Sequence, residues 1–379
     1  MKSIGKAIML YLSMLIKPTS FMCNLRCKYC FYRDEVRKRE EKNPKFMAEK
    51  DGQILIDRAF EAVEDKGHIA FNFQGGEPSL IGLDFYRNFV AYAKNKNRNI
   101  SLSFTLQTNG LLIDEKWCEF LKANNFLVGL SIDGNAPIHD YYRQGAKGQK
   151  TFEKALATKK IFDKYKVCYN VLTVLTKKLS KKPKALYDFI KNEKIDYLQI
   201  IPCLNEEGKE SEFSINPSQY FSFHKEIFKL WLKDLDQGVY RSIKIIDDIV
   251  NFILYGRLGF CGMGGFCSNQ NVIESNLDVY PCDFYALDKY KLGNLKKDTI
   301  LDIYKAEKLE EFFGQAKKIY GPCRTCPIYS YCKAGCRRMK EAMYTKENGN
   351  FCGYREFFKL IVSNIDRIKN DLEKIRSKS

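Results

Sequence analysis

Residues 23–30 read Cys23-Asn24-Leu25-Arg26-Cys27-Lys28-Tyr29-Cys30. The spacing, three residues and then two, puts three thiols in one short loop, and Phe31-Tyr32 follow at once. A tetrahedral zinc site needs a fourth ligand close by, and the chain has only His68, His139 and His224 to offer. Three thiolates suit instead a [4Fe–4S] cube with one iron left open, and an open iron can chelate a small ligand. Ahead of the loop, residues 9–16 form an apolar run that reads as a buried first strand. Lys2 and Lys6 before it imitate the front of a signal peptide, but Lys17-Pro18 follow it and no small-x-small cleavage site is visible.

Downstream of the loop, strand-like runs alternate with helix-like ones. Residues 69–73, 102–106, 127–132, 168–174 and 198–201 read as strands. Residues 53–65, 83–93, 115–123, 151–165 and 184–192 read as helices. A repeat of about thirty residues is the signal of βα units and parallel strands. With residues 9–16 the count is six, which predicts a partial (β/α)6 barrel within the α/β class. Active residues then belong at the C-terminal strand ends. Three loops fall there: Phe73-Gln74-Gly75-Gly76-Glu77-Pro78, Gln107-Thr108-Asn109-Gly110 and Ser131-Ile132-Asp133-Gly134. The two glycines of the first let backbone approach a ligand closely.

The C-terminal third carries eight more cysteines: Cys261, Cys267 and Cys282, then Cys323, Cys326, Cys332 and Cys336, and finally Cys352. Eight thiolates make two sets of four, enough for two fully ligated cubes or for two zinc ribbons. Of the 14 cysteines, Cys118, Cys168 and Cys203 are left over, and the first two read as core residues. The whole chain of 379 residues is 45% apolar, ample for a large core. It has no apolar run long enough to span a membrane. Its cysteines are too unevenly placed for a secreted disulfide scaffold. Lys and Arg number 63 against 46 Asp and Glu, giving +17 and favouring acidic partners, but no nucleic-acid-binding module is recognisable.

The cysteine trio and Gly75-Gly76-Glu77-Pro78 resemble those of radical S-adenosylmethionine (SAM) enzymes. The eight cysteines add the resemblance to a SPASM auxiliary-cluster domain. Tyr280-Pro281-Cys282-Asp283-Phe284-Tyr285, with the contexts at 73–80 and 129–134, is similar to the anaerobic sulfatase-maturating enzymes. The resemblance implies a radical SAM barrel over residues 1–240 and a SPASM domain over 241–379. It implies three [4Fe–4S] clusters. Cys23, Cys27 and Cys30 hold the one that binds and cleaves SAM. Cys261, Cys267, Cys282 and Cys336 hold the first auxiliary cluster, and Cys323, Cys326, Cys332 and Cys352 the second. Tyr29, Gly76, Ser131, Arg143 and Leu204 match SAM-contacting positions, with Arg143 suited to the carboxylate and Glu77 to the amino group. Asp283 matches the general base, and Gln74 is a peptide contact.

The implied reaction oxidises a Cys or Ser of a sulfatase to Cα-formylglycine after a 5′-deoxyadenosyl radical removes a Cβ hydrogen. An acidic flavodoxin or ferredoxin is the expected electron donor. The enzyme is expected to be a cytoplasmic monomer with no nucleic acid or membrane partner. Alternatives are a SPASM enzyme that crosslinks a peptide by thioether or carbon–carbon bonds, a zinc-rich binding module, and a tRNA-modifying enzyme. One departure stands out: where the family has Asp-Gly before the ligand Cys282, this chain has Asn276-Leu277. Leucine resists positive φ, so a change of hairpin turn type is expected.

Overall fold

The computed structural model describes residues 9–96, 99–206, 209–315 and 319–377. Lys2 and Lys6 lie outside them. The apolar run forms β1 (Met9–Ile16), in which Leu12, Met14 and Ile16 are fully buried while the alternate residues face the other way. Five strands follow: β2 (Val63–Phe73), β3 (Ser101–Thr108), β4 (Leu127–Ser131), β5 (Cys168–Leu175) and β6 (Tyr197–Pro202). The helices Glu49–Ala62, Leu83–Lys94, Glu115–Ala123, Phe152–Tyr165 and Pro183–Asn192 connect them. Sequential strands pair in parallel throughout, as helical crossovers require.

Alternation along each strand separates two environments. Outward residues such as Phe71, Phe73 and Phe104 pack edge-on or stacked with Tyr86, Phe89 and Phe126 beneath the helices. Several inward residues are polar and hydrogen-bond across strands. Asn72 Nδ2 donates to Ser13 Oγ at 3.0 Å, Thr105 Oγ1 to Asn72 Oδ1 at 3.0 Å, and Gln107 Nε2 to Ser131 Oγ at 3.1 Å.

Four short strands extend the six. β7 (Ser242–Ile243) joins the free side of β6, and β8 (Val272–Ile273) joins the free side of β1, both parallel. β9 (Asp278–Tyr280) and β10 (Gly293–Asn294) add antiparallel, completing one sheet in the order β10-β9-β8-β1-β2-β3-β4-β5-β6-β7. The cysteine-rich C-terminal region is thereby stitched onto the edge of β1. The Lys17 N–H donates to the Ile273 carbonyl at 2.8 Å.

Several expectations need correcting. β2 begins at Val63, not at residue 69, because Val63 already pairs with Met9. Cys118 is buried as expected, but Cys168 is exposed, since it opens β5 at the rim of the sheet. The C-terminal tail forms two helices, Gly353–Val362 and Ile365–Arg376. The leucine of the hairpin does adopt a positive φ. Leu277 takes φ 71° itself, with its N–H donating to the Glu274 carbonyl at 2.9 Å. Its side chain is fully buried, and that burial outweighs the cost of about 1–2 kcal/mol for a left-handed leucine.

Helix Pro217–Asp236 starts at a capping box between Asn216 and Gln219. It buries Phe223, Phe228 and Trp231 against helix Gly353–Val362, with Phe228 and Phe357 ring centroids 6.1 Å apart, while Phe221 rests on Phe351. Phe223, Phe228 and Trp231 are core, and Phe221 is half-buried at its edge.

Candidate functional site

The site begins where β1 and β2 end. The Gly76 N–H donates to the Ser20 carbonyl and the Glu77 N–H to the Met22 carbonyl, both at 2.8 Å. The glycine run thus lies beside the backbone that leads into Cys23. A Cβ on Gly76 would collide with the Met22 carbonyl, and Gly75 has φ 117°. The glycines admit the cysteine loop, and any ligand approach is secondary. Glu77 is buried and saturated. It accepts from Ser79 Oγ at 2.6 Å, Thr108 Oγ1 at 2.7 Å, the Asn109 N–H at 2.7 Å and the Ser79 N–H at 3.1 Å. It fastens the end of β3 to the glycine run. From there Asn109 Nδ2 reaches Asn24 Oδ1 at 2.8 Å, next to Cys23.

On the other side of the loop, Asp133 collects three donors. Arg143 Nε lies 3.0 Å from its carboxylate, the Val174 N–H donates at 2.9 Å, and the Tyr29 hydroxyl donates too. The Arg143 guanidinium also stands over the Tyr29 ring, 5.6 Å from its centroid. The partner the structure gives Arg143 is therefore Asp133, which aims the guanidinium toward the cysteine loop. Ser131 closes β4 beside Gln107. Leu204 and Tyr29 line a cavity of about 320 Å³ that also touches Cys30 and Arg338.

Asp283 lies at the junction of the two regions. Its carboxylate accepts from the Tyr32 hydroxyl at 2.7 Å and from Gln74 Nε2 at 2.9 Å, and pairs with Lys17 Nζ at 2.8 Å. Lys17 is only 1% exposed and also sees Glu274 at 3.5 Å and Glu35 at 3.9 Å. Arg39 pairs with Glu274 at 2.7 Å. Burial alone would pull the Lys17 ammonium down, but Asp283, Glu274 and Glu35 outweigh it and hold it above its ordinary range. Burial pushes the Glu35 carboxyl well up, against the pull of Lys17. Glu274 is held below its usual range: Lys17 and Arg39 overcome its burial. Charge therefore balances as Lys17–Asp283 and Arg39–Glu274, and Glu35 is the carboxyl that most readily keeps a proton.

All 14 cysteines are free thiols. Mutual electrostatic influence sorts eleven of them. Cys23, Cys27 and Cys30 feel one another. So do Cys261, Cys267, Cys282 and Cys336, and Cys323, Cys326, Cys332 and Cys352. Among the described residues, no three His, Cys, Asp or Glu side chains converge on one ion. Burial pushes the Cys23 and Cys27 thiols up to about 12, a cost that a bound metal centre holding them as thiolates would offset. Backbone donors await the sulfurs: the Leu25 N–H lies 3.3 Å from Cys23 Sγ and the Arg355 N–H 3.4 Å from Cys352 Sγ. The donor sets fit three clusters.

A second cavity, also about 320 Å³, is lined by Gln74, Asp283 and all four cysteines of the middle set. Carboxylate, amide and thiols thus share one chamber. Lys17, Glu35, Arg39 and Glu274 were missed from sequence. Lys17 does stand at the C-terminal end of a barrel strand, where functional residues gather, and that signal was available. His139 and His224 are buried and serve packing, not ligation. Burial pulls both down to about 4.

Known proteins agree with this architecture. The Radical SAM superfamily matches residues 18–190, and the SPASM iron-sulfur cluster-binding domain matches residues 261–327. A cysteine-type anaerobic sulfatase-maturating enzyme of Clostridium novyi is 41% identical, over 95% of this chain and 98% of its own length. A serine-type anaerobic sulfatase-maturating enzyme of Bacteroides thetaiotaomicron is 29% identical, over 95% of this chain and 92% of its own. The solved structure of native anSMEcpe with bound AdoMet and the Kp18Cys peptide superposes with a TM-score of 0.85 at 36% identity, covering 95% of this chain and 99% of that one. The chain belongs to the anaerobic sulfatase-maturating enzymes, radical SAM oxidoreductases that carry a SPASM domain.

Proposed function

We propose that this enzyme oxidises a cysteine of a sulfatase polypeptide to Cα-formylglycine, with Asp283 as the base. The observation that carries the reading is the chamber in which Asp283, Gln74 and Cys282 stand together. Cysteine is favoured over serine because cysteine-type relatives reach 41% identity and the serine-type ones 29%.

The ligand sets of the three [4Fe–4S] clusters are Cys23, Cys27 and Cys30; Cys261, Cys267, Cys282 and Cys336; and Cys323, Cys326, Cys332 and Cys352. Their mutual electrostatic influence supports this interleaved grouping. When bound, SAM on the first cluster supplies the 5′-deoxyadenosyl radical that removes a substrate Cβ hydrogen. Tyr29, Gly76, Glu77, Ser131, Arg143 and Leu204 shape its pocket, with Asp133 fixing Arg143 and Tyr29. Gln74 positions the peptide. Asp283 takes the substrate proton, while Lys17 and Tyr32 hold its carboxylate in place. Because Asp283 follows Cys282 directly, proton and electron leave the substrate on the same side. The product is a thioaldehyde, which water converts to the aldehyde.

A barrel of residues 1–240 and a cluster domain of 241–379 fit the two family matches, which fall on either side of that boundary. Fourteen free thiols suit a reducing compartment, so the enzyme is read as a cytoplasmic monomer. The +17 chain suits an acidic flavodoxin or ferredoxin as donor. No described helix is long and apolar enough to cross a membrane. The test is Asp283→Asn in the loaded enzyme: 5′-deoxyadenosine still forms, and aldehyde falls by about 100-fold or more. Full aldehyde yield from the variant removes Asp283 from the mechanism.

A further inference from the structure

Around the first cysteine loop Arg37 and Lys38 have acidic partners, Glu206 and Asp34, but five other cations do not. Arg26, Arg33, Lys177 and Lys178 are exposed and Lys28 half-buried, and none of them makes an ion pair with a described residue. Three loops bring them together. The Arg26 N–H donates to the Gln144 carbonyl at 2.7 Å and the Lys28 N–H to the Tyr142 carbonyl at 3.0 Å, while Leu25 bridges to Gly145. The Tyr141 ring then carries two ammonium groups, with Lys28 Nζ 3.9 Å and Lys178 Nζ 3.1 Å from its centroid. Of the carboxylates that share a cavity with Lys28 and Arg33, three are engaged elsewhere, Asp34 with Lys38, Glu206 with Arg37 and Glu210 with Lys346. Asp140 Oδ1 is taken by the Thr151 and Phe152 N–H groups at 2.8 and 2.9 Å. Glu212 is exposed on the loop whose Phe213 carbonyl accepts from the Lys177 N–H.

Like charges gathered on one ring repel, and an aromatic face offsets only part of that. A surface that keeps them unpaired is complementary to an acidic partner. Position says which kind. Lys28 is the residue after Cys27 and two before Cys30, so a partner touching it is as close to those thiols as the chain allows. We propose that Arg26, Lys28, Arg33, Lys177 and Lys178 dock an acidic one-electron redox protein that reduces the cluster held by Cys23, Cys27 and Cys30. The proposal rests on the ligand set and donor class given above. One electron leaves the reduced carrier and enters the oxidised cluster, and no proton needs to move. RNA fits the face less well, because the Tyr141 ring that could stack on a base is already covered by ammonium groups.

The test pairs a binding map with kinetics on the loaded enzyme. Zero-length carbodiimide coupling to an acidic flavodoxin is expected to link residues 26–33 and 177–182, as read by mass spectrometry. The double variant Lys177→Glu with Lys178→Glu is expected to slow flavodoxin-driven SAM cleavage by about tenfold or more and to flatten its salt dependence. Dithionite needs no docking, so its rate stays within about twofold. Lys116→Glu with Lys122→Glu, on the helix Glu115–Ala123, changes neither rate. Crosslinks confined to residues 323–359, equal losses with both reductants, or lost RNA affinity with a normal flavodoxin rate each overturn the proposal. If the unmodified enzyme takes electrons from dithionite but from no acidic carrier, the donor class itself is wrong and the docking site falls with it.

Discussion

Replacing Lys17 by Met removes the one ammonium that faces Asp283, Glu274 and Glu35 together. Methionine fills most of the space, so the loss is mainly of charge. Asp283 keeps Tyr32 and Gln74 as donors, and Glu274 keeps Arg39, but the buried set then carries three carboxyls against one cation. Orphaning one member of a buried pair costs about 3–5 kcal/mol. Taking up a proton instead limits that cost, at about 1.4 kcal/mol for each pH unit a carboxyl must be raised. The sign follows. The orphaned carboxyls have raised affinity for protons in the folded state, so the variant recovers stability as pH falls and loses most at high pH. Lys17→Met is therefore expected to unfold about 3 kcal/mol more easily at pH 8, with a smaller deficit at pH 5.5. In the loaded enzyme at pH 7.5, aldehyde formation falls by about 100-fold while 5′-deoxyadenosine formation changes by less than about threefold. Denaturant midpoints at the two pH values, with both products quantified in the same reaction, check this. A midpoint deficit that does not depend on pH, or wild-type aldehyde yield, refutes the reasoning.

Three further outcomes follow from the same structure. Gly76→Ala pushes a Cβ into the Met22 carbonyl and displaces the first cysteine loop. Iron per chain falls by about four of about twelve, with SAM binding lost and the other two clusters kept. His224 and His139 are buried and pulled to about 4, so the unfolded chain takes their protons first as pH drops below about 6.5, and stability falls by roughly 3 kcal/mol per pH unit for the two. His224→Phe halves that slope in denaturant titrations. Leu277→Gly relieves φ 71° but empties a buried site, and large-to-small losses of about 2–5 kcal/mol exceed the gain, so the midpoint drops.

The barrel was legible because its strands are apolar, evenly spaced and helix-separated. β1 spans the run read from sequence, and β3 to β6 differ from it by a residue or two at their ends. β2 was read short because Glu64, Asp65 and Lys66 do not look like strand, and they lie in the irregular stretch between the Val63 pairing with Met9 and the regular register that starts at His68. β7 and β8 are two residues each, too short to carry any periodicity, and β8 is what docks the C-terminal region onto β1. The thiol sets were visible as eleven cysteines. Spacing alone, however, would have kept Cys336 with Cys332, and only the resemblance moved it to Cys261, Cys267 and Cys282. The position of Lys17 at a strand end was visible, but its partners were not. A buried lysine is tolerable only beside its carboxylates, and Glu274 and Asp283 come from a region more than two hundred residues away. Leu277 shows the converse, with packing overriding a local backbone preference that sequence can see.

The central claim is that the chamber around Asp283 turns a sulfatase cysteine into an aldehyde. The direct test is mass spectrometry of a cysteine-containing sulfatase-motif peptide incubated anaerobically with the loaded, reduced enzyme and SAM. The account predicts formylglycine at that cysteine, accompanied by 5′-deoxyadenosine. A thioether or carbon–carbon crosslink in the peptide, or an unchanged peptide while SAM is consumed, would contradict it.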